Sequence, residues 1–366
     1  MSKRAPSKGT KAEARTILAR VIAELDGGIY AERRVTIAIL FDLFMQAKRP
    51  RLAATTVERY EAMLRTHIIP ALGSVRADKL TAVHLERAYA SWRMQRLDKK
   101  KGALSETTVK HLHDLIRAGL NVATRRRLIG RNVALDINAP SKARIEMSVL
   151  GADDLGRLLD FARKPSNRSV ARSAFTTEGA WYPALAFMSY TGVRRGECLA
   201  LRWTDLDLDA GTVAIRRSLQ QTKAGLAFKS TKTDRERAFT IGPALVAILR
   251  KHRAEQDEVK ALLRSAYHDD GLVFARADGS AIIPWNFGAA FRDLVRRAAV
   301  PRIRLHDLRH THASLLGQAG IPMHVTSKRL GHSSLSVTAP PLSRLREPGS
   351  RSGYGIRGAR RSLERM

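Results

Sequence analysis

Apolar positions recur along most of this chain with a helical period. Between Lys11 and Asp26, the residues Ala14, Ile17, Leu18, Val21, Ile22 and Leu25 fall on one helical face. Gly27 and Gly28 then end that helix. Residues 35–141 read as a second, wholly helical unit. Ile37, Leu40, Phe41 and Phe44 share one stripe. Thr55 with Glu58 has the form of a capping box and predicts a helix turning Val57, Tyr60 and Leu64 inward. His67 to Gly73, with Pro70, predicts a turn. Thr81 predicts the cap of a helix bearing Leu85, Tyr89 and Trp92, and Asp98 to Gly102 a basic loop. Ser105 opens a long helix with Val109, Leu112, Ile116, Leu120 and Ala123 on one stripe.

Residues 139–144, with Pro140 and Lys142, predict a linker. Beyond it come a helix at Asp153 to Ala162, a polar loop at Pro165 to Thr177 and a buried helix at Trp181 to Tyr190. The texture then changes. Gly211 to Ser218 alternates with period two, and Leu226 to Phe228 and Arg237 to Ile241 predict two more strands. Helical spacing returns at Pro243 to Leu263, Asn286 to Ala299, His306 to Ala319 and Pro322 to Arg329. The fold class expected is mainly α with a small antiparallel β-sheet. After Thr338 the chain reads Ala339-Pro340-Pro341 and then Arg, Ser and Gly, with no period, which predicts a disordered tail.

Charge narrows the partner. The 366 residues hold 65 Lys+Arg against 34 Asp+Glu, a net charge of +31. Such self-repulsion implies a polyanion, with nucleic acid first and an anionic membrane surface second. No apolar run is long enough to predict a spanning helix, and the basic segment Met1 to Lys11 is followed by no apolar core, so it does not read as a secretory signal. The single cysteine, Cys198, rules out a disulfide framework and a cysteine-rich zinc site. A cytoplasmic, reduced protein is expected.

Candidate chemistry lies in four places. In Thr191-Gly192-Val193-Arg194-Arg195-Gly196-Glu197, a turn opens a helix, which predicts Arg194 in its first turn, where the helix dipole favours an anion. The plainer alternative is an Arg on a solvated face. In Leu305-His306-Asp307-Leu308-Arg309-His310, His306 and Arg309 are one turn apart, and Arg309 offers a planar fork to two phosphate oxygens. The alternatives are plain surface polar residues or a zinc pair from His306 and His310, the latter with no Glu or Cys nearby at ligand spacing. Lys232, in Thr231-Lys232-Thr233-Asp234 between two predicted strands, is either a solvated hairpin tip or a proton donor to a leaving hydroxyl. His332 follows Gly331, which suits a helix C-cap. Taken alone, His332 would be structural.

The order Arg194, Lys232, His306-x-x-Arg309, His332 resembles the tyrosine recombinase (phage integrase) family. The stretch Leu199 to Asp209 is similar to the family's continuation of its first arginine motif, and the likeness extends over roughly 300 residues. It implies a helical, SAM-like core-binding domain at 35–141 and an α+β catalytic domain at 148–338, together clamping duplex DNA. It implies that Arg194 and Arg309 hold the scissile phosphate and stabilise its developing charge. His306 and His332 would assist proton transfer, Lys232 would protonate the leaving 5′-oxygen, and Glu197 would brace the Arg194 turn. No metal or other cofactor is implied, because a covalent intermediate stores the bond energy. The partners implied are double-stranded DNA and, on it, a homo-tetramer.

Two departures stand out. The family's nucleophilic tyrosine is expected near Leu342, where the chain reads Thr338-Ala339-Pro340-Pro341-Leu342-Ser343. No tyrosine is there, and two prolines oppose a helix. Downstream only Tyr354 remains, between Gly353 and Gly355. Ordering such a tail costs roughly 1–2 kcal/mol per residue, which argues against its use. A reading-frame shift after Thr338 would account for the change of texture. At the other end, residues 1–34 read as a remnant of an arm-binding module, its closing helix without the strands expected before it. Two functions are therefore carried forward: a site-specific DNA recombinase, and a DNA-binding protein that occupies recombination sites without cutting them.

Overall fold

The computed structural model describes residues 35–94, 103–141, 148–164, 181–230 and 237–331. The expected helix at 11–26, the basic loop, residues 142–144 of the linker, the loop at 165–177, the tail, Lys232 and His332 lie outside the described residues. The chain divides into two compact units, Met1–Ile145 and Glu146–Met366.

The first unit is helical. Helix α1 (Ile37–Lys48) starts at Thr36, whose side chain accepts the Ile39 N–H. Its buried face packs on α4 (Glu106–Arg125), which Ser105 caps by accepting the Thr108 N–H. The two helices meet where α4 carries Gly119. A Cβ there would stand 2.5 Å from the Phe41 ring, so the close approach requires glycine. Helix α3 (Ala82–Met94) buries Leu85, Tyr89 and Trp92. Thr81 caps it, and the side chain returning to the Thr81 N–H is His84. A buried hydrogen bond, Tyr89 Oη to His113 Nδ1 at 2.9 Å, joins α3 to α4.

Two local expectations are corrected in this unit. Helix α2 (Ala54–Met63) begins on Ala53, with no side-chain cap, so Thr55 lies inside the helix and makes no capping box with Glu58. The predicted turn at His67 to Gly73 is instead a continuation of that helix. A π-helical turn, Leu64–Ile68, leads into a last turn, Ile69–Leu72. The Ile69 N–H reaches back to the Leu64 oxygen, and this wider turn lets the chain pass Pro70, which has no N–H to give.

In the second unit helices surround a small pair of sheets. Helix α6 (Trp181–Thr191) is buried nearly all round. It packs on α5 (Ala152–Arg163), α8 (Pro243–Leu263) and α10 (Asp307–Gln318). One-turn α7 (Arg195–Cys198) follows it, then the strands β1 (Leu206–Asp207), β2 (Thr212–Ile215), β3 (Arg217–Thr222), β4 (Gly225–Ser230) and β5 (Arg237–Thr240). Helices α9 (Pro284–Arg297) and α11 (Met323–Leu330) complete the described part.

The single strand expected over Gly211 to Ser218 is two strands. β2 lies between β1 and β5 in one antiparallel sheet, and β3 leaves it to pair with β4 in another. The crossing is pinned by Asp205, buried, which accepts from Arg216 Nη1 at 3.3 Å and Arg217 Nη1 at 3.0 Å. An alternating pattern reports which residues face inward. It carries no mark of where a strand changes partners.

Candidate phosphate-binding site

The site is built where three chain segments meet: the turn after α6, the start of α10 and the end of α11. Thr191 closes α6, and Gly192 turns the chain with φ of 66°. A Cβ on Gly192 would stand 2.5 Å from Leu330 Cδ2 and 2.8 Å from His312 Cδ2. Glycine is thus required twice, by conformation and by space.

Arg194 follows in extended conformation. It is the N-cap of α7 rather than a residue of its first turn, and α7 is a single turn, too short for a dipole to matter. What holds Arg194 is Glu197. The Glu197 carboxylate accepts the Arg194 N–H at 2.8 Å and Arg194 Nη1 at 2.9 Å. Glu197 is buried, while 46% of the Arg194 side chain stays exposed. Burial acts against the Glu197 carboxylate, but hydrogen bonds from Arg237 and Arg194 outweigh it and hold the group below its ordinary range. Gly196 lets α7 settle on β3, since a Cβ there would meet Ser218 Oγ at 2.5 Å.

Arg309 lies in α10, buried, and bridges the other two segments. Nη1 donates to the Gly192 oxygen at 2.8 Å and Nη2 to the Leu330 oxygen at 2.6 Å. Burial drives its basicity downward, and the positive charges of Arg194 and Arg237 push the same way, while Glu197 opposes them. His306 is the N-cap of α10, one turn from Arg309. Its ring is perpendicular to that of His310, with centroids 5.4 Å apart. Burial, then His310 and Arg309, lower its basicity, so its ring is neutral near pH 7 and can donate or accept one hydrogen bond. Beneath it, Asp307 accepts the Arg304 N–H at 2.7 Å and the Arg304 guanidinium, fixing the start of α10.

Arg194, Glu197, His306 and Arg309 are thus brought together. Lys232 and His332 lie outside the described residues, as do Leu342 and Tyr354. Gly331, directly before His332, takes the left-handed conformation at φ 67° and ends α11. Cys198 is buried and its thiol pushed well up, which removes it as a nucleophile. Among the described residues no three His, Cys, Asp or Glu side chains are grouped to hold a metal ion. No described helix is long and apolar enough to cross a membrane.

Two residues in this region escaped the sequence reading. His312 is fully buried behind Gly192, and burial, with Arg329 next, pushes its basicity down to about 3. Arg237 opens β5, with only 13% of its side chain exposed. Its Nη1 and Nη2 donate to the two Glu197 oxygens at 3.1 and 2.5 Å. The signal was present: β5 points Arg237 and Phe239 the same way, so an arginine sits on the inward face of a strand.

Comparison with known proteins settles the family. The model described as "Phage integrase family" matches residues 148–340, and "Phage integrase, N-terminal SAM-like domain" matches residues 36–93. The chain belongs to the phage integrase family. It is 25% identical over 320 residues to a "Tyrosine recombinase XerC-like" protein of Caldanaerobacter subterraneus subsp. tengcongensis, covering 82% of this chain and 75% of that one. To an integrase of Streptomyces ambofaciens it is 26% identical over 350 residues, covering 90% and 81%. Among solved structures, a Tn1549 transposon integrase in complex with a circular intermediate DNA superposes with a TM-score of 0.68 at 19% identity, covering 90% of this chain and 99% of that one. A lambda integrase tetramer bound to a Holliday junction gives 0.63 at 16%, covering 96% and 92%. This integrase therefore has the tyrosine recombinase fold, a SAM-like helical domain and a mainly helical catalytic domain with a small antiparallel sheet.

Proposed function

We propose that this integrase grips a backbone phosphate of duplex DNA with Arg194, His306 and Arg309, aided by Lys232 and His332, and that the chain does not itself cut the strand. The observation that supports the grip is a charge imbalance. Among the described residues, the guanidinium groups of Arg194 and Arg237 act on that of Arg309, and all three lie around the carboxylate of Glu197. Keeping positive charge out of water is costly. A phosphate beside Arg309 and Arg194 would offset that cost and accept their charge-assisted hydrogen bonds.

In a cutting recombinase, a tyrosine hydroxyl attacks the phosphorus, a phosphotyrosyl bond forms, and the 5′-oxygen leaves with a proton. Here Arg194 and Arg309 would stabilise the charge of that transition state, and Lys232 would give the proton. On this reading the attacking group is missing, since no tyrosine stands near Leu342. The reading that follows is occupation of recombination sites in the cytoplasm by the units 35–141 and 148–338. The solved lambda integrase relative is a tetramer on a Holliday junction. For this chain, with Pro340 and Pro341 where a C-terminal helix is expected, we infer a weaker DNA-bound tetramer.

A nicked duplex carrying the recombination site beside the gene, which traps a cut strand as a covalent adduct, tests this reading. A retarded complex without adduct is expected. An adduct that disappears in Tyr354→Phe would overturn it and make Tyr354 the nucleophile. The nucleotide sequence around codon 339 checks the frame: a second frame encoding a tyrosine-bearing helix would identify the parent as a cutting enzyme.

A further inference from the structure

Arg237 does two things at once in this fold. Its fork closes on both oxygens of Glu197. Its side chain also lies along Gly331, where a Cβ would stand 3.1 Å from both Arg237 Cδ and Arg237 Nη1. One guanidinium therefore touches the brace of Arg194 on one side and the residue before His332 on the other. Its Nε is enclosed, and both Nη atoms are engaged with Glu197.

We propose that Arg237 is a positioning residue of the phosphate clamp: by saturating Glu197 it keeps Arg194 half-exposed and turned outward. The geometry gives the reason. Glu197 is buried and demands compensation from whichever cations can reach it. With Arg237 in place, Arg194 gives Glu197 its Nη1 and main-chain N–H and keeps 46% of its side chain exposed. Without Arg237, Arg194 is the cation left bonded to that carboxylate. It would close on Glu197 with its whole fork, as arginine does with a lone carboxylate, and turn away from the phosphate. Lysine cannot replace Arg237, because one ammonium does not reproduce a planar fork on two oxygens.

The inference rests on the clamp reading, and one experiment separates the two. Inorganic phosphate is titrated into the full chain at fixed ionic strength, and the rise in melting temperature is converted to an affinity. The parent is expected to gain stability with phosphate. No gain would overturn the clamp reading, and this inference with it. Given a gain, Arg237→Met and Arg237→Lys should both bind phosphate about tenfold more weakly or worse, a change within the range of a single charged contact. The double variant Arg237→Met with Glu197→Gln should recover much of that loss, since a neutral amide no longer captures Arg194. Parent-like binding in Arg237→Lys would mean that charge alone matters, and would overturn the proposal. So would failure of the double variant to recover. Melting temperatures without phosphate show that each variant is folded, and a merely structural role would lower those values without the recovery.

Discussion

Arg309 Nη2 donates to the main-chain oxygen of Leu330 at 2.6 Å, so the residue that would hold a phosphate also fastens the last described helix to the core. Its Nη1 does the same for Gly192 at 2.8 Å. Arg309→Ala removes both bonds and leaves two buried acceptors without these donors. A loss of roughly 2–4 kcal/mol in denaturant unfolding is expected. A variant as stable as the parent would show that the bridge contributes nothing.

Gly192→Ala should be severely destabilising. The left-handed φ alone costs about 1 kcal/mol for alanine. The new Cβ must also displace Leu330 or His312, adding roughly 1–3 kcal/mol of overpacking. Thermal unfolding is the measurement, and a parent-like melting temperature would contradict the packing described.

Acid should destabilise the catalytic unit in two steps, both of the same sign. His312 is held neutral, with its folded value near 3 against 6.5 for an ordinary histidine. The unfolded chain therefore binds more protons between those values, and stability falls as pH falls from about 6.5 toward 3. The total is on the order of a few kcal/mol. Glu197 is shifted below its ordinary 4.5. Its contribution is present above that pH and is lost as pH falls through the lower folded value. His312→Gln should flatten the upper part of the stability–pH curve and Glu197→Gln the lower part. An unchanged slope in His312→Gln would refute the first assignment.

In the helical unit, Tyr89→Phe deletes the buried bond to His113 Nδ1. The expected loss is about 1 kcal/mol, more if His113 is left unsatisfied. A variant more stable than the parent would show that the bond does not offset its desolvation.

What the sequence made legible was local or carried by a motif. Ser105 and Thr81 cap the helices expected of them, since a cap needs only a neighbour three residues on. Arg194, His306 and Arg309 were found as a set because their spacing is a family pattern. Thr55 with Glu58 misled, because Ala53 is the N-cap and Thr55 falls two positions beyond it, inside the helix. Pro70 misled because a π turn absorbs a proline that an α turn would not. Arg237 and His312 were missed for another reason. Their meaning lies in residues distant along the chain, Glu197 and Gly331 for one, Gly192 for the other.

The bridge made by Arg309 has a consequence for how such a gene would decay. A substitution there loosens the catalytic unit itself, whether or not any strand is ever cut. Selection for a folded, DNA-occupying chain would thus preserve the arginine long after selection for cleavage had lapsed. An intact Arg309 would then be a record of the architecture and not of turnover. Among relatives, the tyrosine should be free to disappear first.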